Sequence, residues 1–377
     1  MTIFPFAHAG VTTEGPVTSW TGWPDLLEVC LSQLDGPSQG FGLVYVTDPL
    51  GGDISDIVEV LRTRTGIDIW RGAVAPAICA TGIEYFDTPA IALMVLDVPD
   101  SDIAAFPGEP GNKELQVASR AHLGIVHADP RQAAALEAMP ELAKTTGAYL
   151  VGGLTSGASP APLVGAPDAP SGLAGVLLTD QVPLSTGLTQ GCSPIGLVHT
   201  ITGMHEGIVT ELDGEDALEV LKADVGALLA RDLRQLAGYV HAAIPVSGSD
   251  QADYLVRNLV GFDVDQGWIA VAEGLRVGDR LRFVRRDAAS AIEDMQRMLD
   301  DVKRRAGERP RGAVYHSCVA RGPHQFGPGS QELTMIAETF GDIPVVGFFG
   351  NGEISHDRLY TYTGVLTVFC EPEEAKG

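Results

Sequence analysis

Basic residues are scarce. The 377-residue sequence has 25 Lys and Arg against 49 Asp and Glu, a formal net charge of −24. Phosphate backbones and anionic membrane surfaces both need a basic footprint, so nucleic acid and membrane-surface partners are excluded. Long apolar runs are missing as well: no window reaches the roughly 18 apolar residues that a membrane helix needs. The N-terminal MTIFPFAHAG has no basic start and no apolar stretch behind it, and so does not read as a signal peptide. Cysteines are few. Cys30, Cys79, Cys192, Cys318 and Cys370 are odd in number and never spaced as CxxC. That pattern fits reduced thiols, not a disulfide framework or a zinc site. A soluble, acidic, cytoplasmic globular protein is expected.

The motifs of well-known chemistries are absent too. Gly152–Gly157 has the glycine spacing of a phosphate-binding loop, but Ala158-Ser159 replaces its lysine and a Pro-rich stretch follows where a helix should start. No GxGxxG, GxSxG, HExxH or EF-hand pattern occurs. His205-Glu206 is followed by Val209 where a second zinc-binding histidine would stand, and the nine histidines are scattered. No metal and no cofactor are expected.

What is present is a core and many turns. Hydrophobic residues make up 45% of the chain and glycines number 45, enough for a sizeable interior with tight turns and close approaches. The length suggests two domains. Residues 20–34 read as a helix with Pro24 at its start. FGLVYVTD (41–48) reads as a strand, and Asp53 opens a helix that stops near Gly66. IWRGAVAPAIC (69–79) and PAIALMVLDV (89–98) are extended. The order recurs: strand HLGIVHADP (122–130), a helix capped by Asp129 and interrupted at Pro140, strand AYLVGGLTSG (148–157), a loop or flap over 158–172, and strand GLAGVLLTD (172–180). A third pass holds GAVYHSCVARG, helix 330–341, the apolar strand PVVGFFGNGEIS (344–355) and RLYTYTGVLTVF (358–369). Repeated strand-helix-strand-strand units imply a mixed α/β (α+β) fold, with layered sheets covered by helices.

Between these passes, GLVHTITGM and EGIVTEL read as strands and 214–237 as a helix with an apolar face that includes Leu228, Leu229 and Leu233. GWIAVAEGLRVGDRLRFVRRD reads as a hairpin turned at Val277-Gly278-Asp279. Asp287 caps a helix with inner face Ala291, Ile292, Met295, Met298, Leu299 and Val302.

Several of these segments match one family. TGLTQGCSPIG (186–196), ITGMHEGIVTELDGEDALEVL (201–221), DYLVRNLVGFD (253–263), GDRLRFVRRD (278–287), YHSCVARG (315–322), IPVVGFFGNGEIS (343–355) and RLYTYTGVLTVF (358–369) resemble the FIST sensory proteins. The resemblance implies an N-terminal FIST domain over 18–215 and a C-terminal one over 216–370. It also implies a cytoplasmic, non-catalytic sensor of small ligands, amino acids or related metabolites being the favoured class. Family members often carry a kinase, chemoreceptor or F-box output. The two domains leave no room for one here, so a separate downstream signalling protein is the implied partner.

Among candidate ligand-binding residues, Arg321 and Glu353 lead. A guanidinium holds a carboxylate through parallel hydrogen bonds and a carboxylate accepts from an ammonium, so together they suit a zwitterion. The plain alternative is that they bind each other. Asn351 sits beside Gly352 and reads first as a turn residue. Cys318 and Cys192 raise a cysteine-dependent hydrolase or transferase, with His316 two positions before Cys318 as a possible activator, but buried inert thiols are commoner. Strand alternation puts Ser317 and Cys318 on opposite faces. Arg257 and Asn258 sit amid apolar residues as a brace or a second set of contacts. Gln190 and Ser156, at glycine-rich strand ends, complete the set. A protein-interaction scaffold is a third reading.

Overall fold

Apolar β-branched runs form strands buried along their whole length. The computed structural model describes residues 3–12, 21–34, 39–107, 112–166, 168–229, 236, 238–246, 254–272 and 274–372. Strands Phe41–Thr47, Trp70–Ala75, Ala90–Leu96 and Leu173–Thr179 are buried at every position. Such strands read as continuous hydrophobic stretches because both faces of their sheet are covered. The fold is mixed α+β, and the chain divides into two compact units. One comprises residues 1–190, 294–359 and 363–377, the other 191–293 and 360–362.

In the first unit the same sequence of elements occurs three times. The first copy has strands Phe6–Gly10, Phe41–Thr47, Trp70–Ala75, Ala77–Ala80 and Ala90–Leu96, with helices Trp23–Gln33 and Ile54–Thr65 between the first three. The second has strands Ile103–Phe106, Ala121–Ala128, Tyr149–Leu154, Leu163–Val164 and Leu173–Thr179, with helices Asn112–Ala118 and Ala133–Thr146. The third has strands Leu184–Gln190, Pro310–Cys318, Val345–Gly350, Glu353–Ser355 and Thr363–Cys370, with helices Ala288–Ala306 and Gln331–Phe340. Residues 191–293, the second unit, follow its first strand.

Each copy builds a sheet in one way. Its second and third strands are parallel neighbours, joined by the helix such a crossover needs. Its fifth strand runs antiparallel beside the second, and its first beside the fifth. The fourth strand leaves. Ala77–Ala80 joins the third sheet, Leu163–Val164 the first and Glu353–Ser355 the second. Each sheet is thus extended by a strand from another copy, and the exchange closes in a ring.

Glycine lets the two parallel strands of each copy approach closely at one repeated position. Gly72, Gly152 and Gly347 lie opposite Val44, Val126 and Tyr315 in the three parallel pairs. A Cβ at these glycines would stand 1.7, 1.8 and 1.7 Å from the carbonyl oxygens of those partners, closer than any atom can approach.

Several expectations change. PVVGFFGNGEIS is two strands in two different sheets, because Gly350–Gly352 turns the chain out of one and into the other. The segment 158–172 contributes the short strand Leu163–Val164. Helix Ala133–Thr146 runs through Pro140, which is exposed, so water reaches the carbonyl its missing N–H leaves free. Asp129 does not cap that helix; Gln132 occupies the cap position, and Asp129 accepts hydrogen bonds from Arg131. Gly66 and Gly147 end their helices in the left-handed conformation, as glycine at that position commonly does.

The second unit is an antiparallel barrel. Strands Cys192–His205, Arg280–Arg286, Val240–Pro245, Tyr254–Asp263, Trp268–Val271 and Ile208–Leu212 pair in that order, and the last pairs with the first. Trp268–Val271 and Arg280–Arg286 are therefore not a hairpin: the chain does turn at Arg276–Asp279, but the two strands take separate places in the barrel. Helix Ala217–Leu229 packs Ala217, Leu218 and Leu221 into the barrel core. The expected extension of this helix to 237 falls on 230–235 and 237, outside the described residues, as does Leu233, and so do the side chains of Leu228 and Leu229. Asp287 does cap helix Ala288–Ala306, accepting from the N–H groups of Ala289 and Ser290. Of that helix's expected inner face Ile292 is exposed, the others buried.

Candidate functional site

The three copies meet at a polar layer inside the first unit. Tyr45, His127 and His316 occupy the same register position on their strands. The Tyr45 hydroxyl lies 3.0 Å from Nε2 of His127 and 3.3 Å from Nε2 of His316. A phenol has one hydrogen to give, so one imidazole accepts it and the other donates its own N–H to the oxygen. Burial pushes His127 down to about 3 and holds His316 well below the usual histidine range, so both rings are neutral. Leu43, Ile125 and Val314, two residues earlier on each strand, lie in the apolar core beside this layer. Phe348 packs against all three polar rings.

The same register identifies an odd residue. Tyr45, His127 and His316 lie opposite Ala73, Gly153 and Phe348, which in turn lie opposite Leu163, Glu353 and Ile78 on the exchanged strands. Glu353 therefore stands where the other two copies have Leu163 and Ile78. It is 1% exposed. One carboxyl oxygen, Oε2, accepts from the Thr363 amide at 3.2 Å and hydroxyl at 2.7 Å, while Oε1 has no hydrogen-bond partner among the described residues. Burial raises its carboxyl to about 8, against the opposing pull of Thr363 and Arg321.

On the other face of the third sheet lies a second buried charge cluster. Arg321 follows strand Pro310–Cys318 and is fully buried. The carboxylate it binds is Glu332, not Glu353. Nε of Arg321 donates to Glu332 Oε1 at 2.9 Å, and Nη2 makes an ion-pair contact of 2.8 Å with the same oxygen. Glu332 also accepts from the Tyr315 hydroxyl at 2.6 Å, the Gly322 amide at 2.8 Å and, at 3.4 Å, the Ser317 hydroxyl. It sits in the first turn of helix Gln331–Phe340, where the helix dipole favours a negative charge. Burial works against the charge on Arg321, but the Glu332 carboxylate outweighs it and holds the guanidinium above its ordinary range. Phe326 covers one guanidinium face, 4.9 Å from its ring centre.

This cluster is incompletely satisfied. Neither Nη of Arg321 has an aligned hydrogen-bond acceptor among the described residues. Glu84, on strand Ile83–Phe86, is raised to about 8 by burial and by Glu332, and its Oε1 is also unpartnered. Arg321 and Glu332 act electrostatically on both Glu84 and Glu353. The guanidinium is paired with Glu332, and its charge also favours the ionised forms of Glu84 and Glu353.

The other candidates scatter. Ser317 and Cys318 alternate as expected, Ser317 toward Glu332 and Cys318 buried at the strand end opposite Gly350. His316 is not an activator of Cys318; it is spent on Tyr45. Asn351 is an exposed turn residue whose backbone N–H donates to the Leu154 carbonyl. Ser156 donates to the Phe349 carbonyl at 3.3 Å. Gln190 lies opposite Thr363, the Glu353 donor, and its backbone N–H donates to Asp294. Cys192, Arg257 and Asn258 belong to the barrel. The Cys192 carbonyl accepts from Tyr254, Arg257 donates to the Val256 carbonyl, and Asn258 accepts from Tyr362 at 2.7 Å and contacts His241 at 3.2 Å, which is a brace. Among the described residues no group of three His, Cys, Asp or Glu is arranged to hold a metal ion.

Sequence reasoning missed Glu332, although its signal was there: it shares the apolar stripe of its helix with Leu333 and Ile336. It missed Glu84 and the Tyr45 layer as well. Aligning GLVYV (42–46) with GIVHA (124–128) would have brought Tyr45 and His127 to one position.

Comparison with known proteins adds the family context. Residues 40–215 match the model described as the FIST N domain and 217–356 the model described as the FIST C domain. Uncharacterized proteins of Mycobacterium tuberculosis and Mycobacterium bovis are each 32% identical to the chain, over 212 and 219 residues. These matches cover 53% and 54% of this chain, and the chain spans 54% and 55% of the relatives' length.

Proposed function

The chain belongs to the FIST family, and from that premise we propose that it is a non-catalytic sensor whose small-molecule ligand is read by Arg321 and Glu353. FIST domains are associated with sensory roles in signal transduction. The observation that carries the reading is the unspent hydrogen-bonding capacity of buried and half-buried ionisable groups. Among the described residues neither Nη atom of Arg321 has an aligned hydrogen-bond acceptor, although Nη2 is in ion-pair contact with Glu332, and one oxygen each of Glu84 and Glu353 has no hydrogen-bond partner. Buried polar atoms in folded proteins are almost always paired, and the Nη–H groups not aligned on Glu332 suit a carboxylate or carbonyl ligand. A carboxyl group nearby supplies the complementary acceptor. Amino acids and related metabolites carry both halves, and are the class we favour. Signalling onward to a separate cytoplasmic protein completes the proposal.

Nothing in the geometry favours the cysteine-enzyme reading, since the histidine nearest Cys318 in sequence is neutral and bonded to Tyr45. The test is a thermal-shift screen of amino acids and related metabolites, repeated on Arg321→Gln. A ligand that raises the melting temperature of the wild type but not of the variant supports the reading; a broad library that shifts neither sinks it.

A further inference from the structure

We infer that Glu353 enters binding as a neutral carboxylic acid, and that a ligand bearing a basic nitrogen binds there by displacing its proton to solvent. This rests on the ligand-site reading above and goes beyond it in fixing the ligand's donor group and its linkage to protons.

The repeat supplies the first argument. Leu163 and Ile78 stand at the register position of Glu353 in the other two copies. The architecture therefore accepts a branched aliphatic side chain there, and a carboxyl group is not what builds it. Burying a carboxyl in place of a hydrocarbon costs stability unless something compensates. Thr363 satisfies Oε2 alone, and Oε1 is left without a donor.

The second argument is charge. The charged and titratable groups that bear on Glu353 are Arg321, from the turn after strand Pro310–Cys318, and Glu332, from helix Gln331–Phe340. On its own sheet His127 lies two strands away at the same level, and is neutral. Arg321 is already committed to Glu332 at 2.8 Å. Among the described residues no second cation balances Glu353, so it keeps its proton when the site is empty, in line with a carboxyl raised to about 8. An ammonium group changes that balance. At neutral pH the ligand arrives as R–NH3⁺; the Glu353 O–H bond breaks, the proton leaves to buffer, and the ammonium donates to the carboxylate that remains.

Methylammonium chloride is the probe. Isothermal titration at neutral pH in PIPES and in HEPES, which differ in ionisation enthalpy, reads protons released per probe bound. The expected result is close to one proton released in the wild type. Tetramethylammonium, which has no N–H, should not compete. Glu353→Gln should weaken methylammonium at least about tenfold, the loss of one charge-assisted hydrogen bond. Glu353→Leu should abolish binding and melt at or above the wild-type temperature. Binding without proton release, undiminished binding by either variant, or a wild type blind to methylammonium would each overturn the inference. Destabilisation of Glu353→Leu would overturn the repeat argument. A metabolite that shifts the wild type but not Arg321→Gln, with methylammonium inert, leaves the ligand-site reading standing and removes only this inference.

Discussion

Removing the Glu332 carboxylate while Arg321 remains should be among the most damaging single changes in the first unit. Glu332 accepts from Tyr315, Arg321 and Gly322 at 2.6–2.9 Å, and both charged side chains are 0% exposed. In Glu332→Leu the guanidinium loses its counter-charge in a site that water does not reach. Breaking a buried pair on one side costs about 3–5 kcal/mol. For a unit of this size that lowers the melting temperature by roughly 6–20 °C. Arg321→Met, which strands the carboxylate instead, should cost a similar amount. The double variant Arg321→Met/Glu332→Leu is the sharper test. With no charge left to strand, it should cost far less than the sum of the two singles, because much of each single penalty is the abandoned partner. Urea denaturation followed by far-ultraviolet circular dichroism supplies all three midpoints. Single variants within about 1 kcal/mol of the wild type, or a double variant as damaging as the sum, would refute a desolvated, mutually dependent pair.

Three further outcomes follow from other parts of the molecule. Glu353 and Glu84 have folded-state carboxyls raised to about 8, so the native state holds protons that the unfolded chain gives up above about 4.3. Stability should therefore fall as pH rises across that window, and Glu353→Leu should flatten the slope in chemical denaturation; a slope unchanged in the variant would contradict the assignment. In the barrel, His199 lies 2.7 Å from Asp213 and 2.9 Å from Asp224, and these carboxylates outweigh the effect of burial and raise its pKa. Its contribution should be complete below about 6.5 and vanish as pH climbs through the folded value, which NMR titration of the His199 ring, beside amide exchange in the barrel, would follow; a ring titrating at or below the free value would count against the clamp. Gly152→Ala puts a Cβ 1.8 Å from the Val126 carbonyl oxygen, at a φ of 142°. It should cost more than about 2 kcal/mol or prevent folding, and a variant as stable as the wild type would remove the close-approach argument.

The sequence made the local elements legible and the connections between them obscure. Periodicity and punctuation found the buried strands, the helix ended by Gly66 and the Asp287 cap, because each depends on neighbours in the chain. The strand exchange was invisible for a physical reason. PVVGFFGNGEIS reads as one apolar run punctuated by glycine, and only the partners across each sheet edge divide it between two sheets. Likewise Val277–Asp279 is a turn in either arrangement, whether the strands beyond it pair or part. At the site, Arg321 and Glu353 stood out as charges beside apolar strands. Glu332 hid within an ordinary amphipathic helix, so the true partner of Arg321 emerged only from the packing of that helix on its sheet.

The most direct measurement is a crystal structure of the chain with a thermal-shift ligand bound. The account predicts ligand density within hydrogen-bond distance of an Arg321 Nη atom and of Glu353 Oε1, with the Arg321–Glu332 pair intact. Density elsewhere, with both groups still unpartnered or bridged only by water, would contradict it.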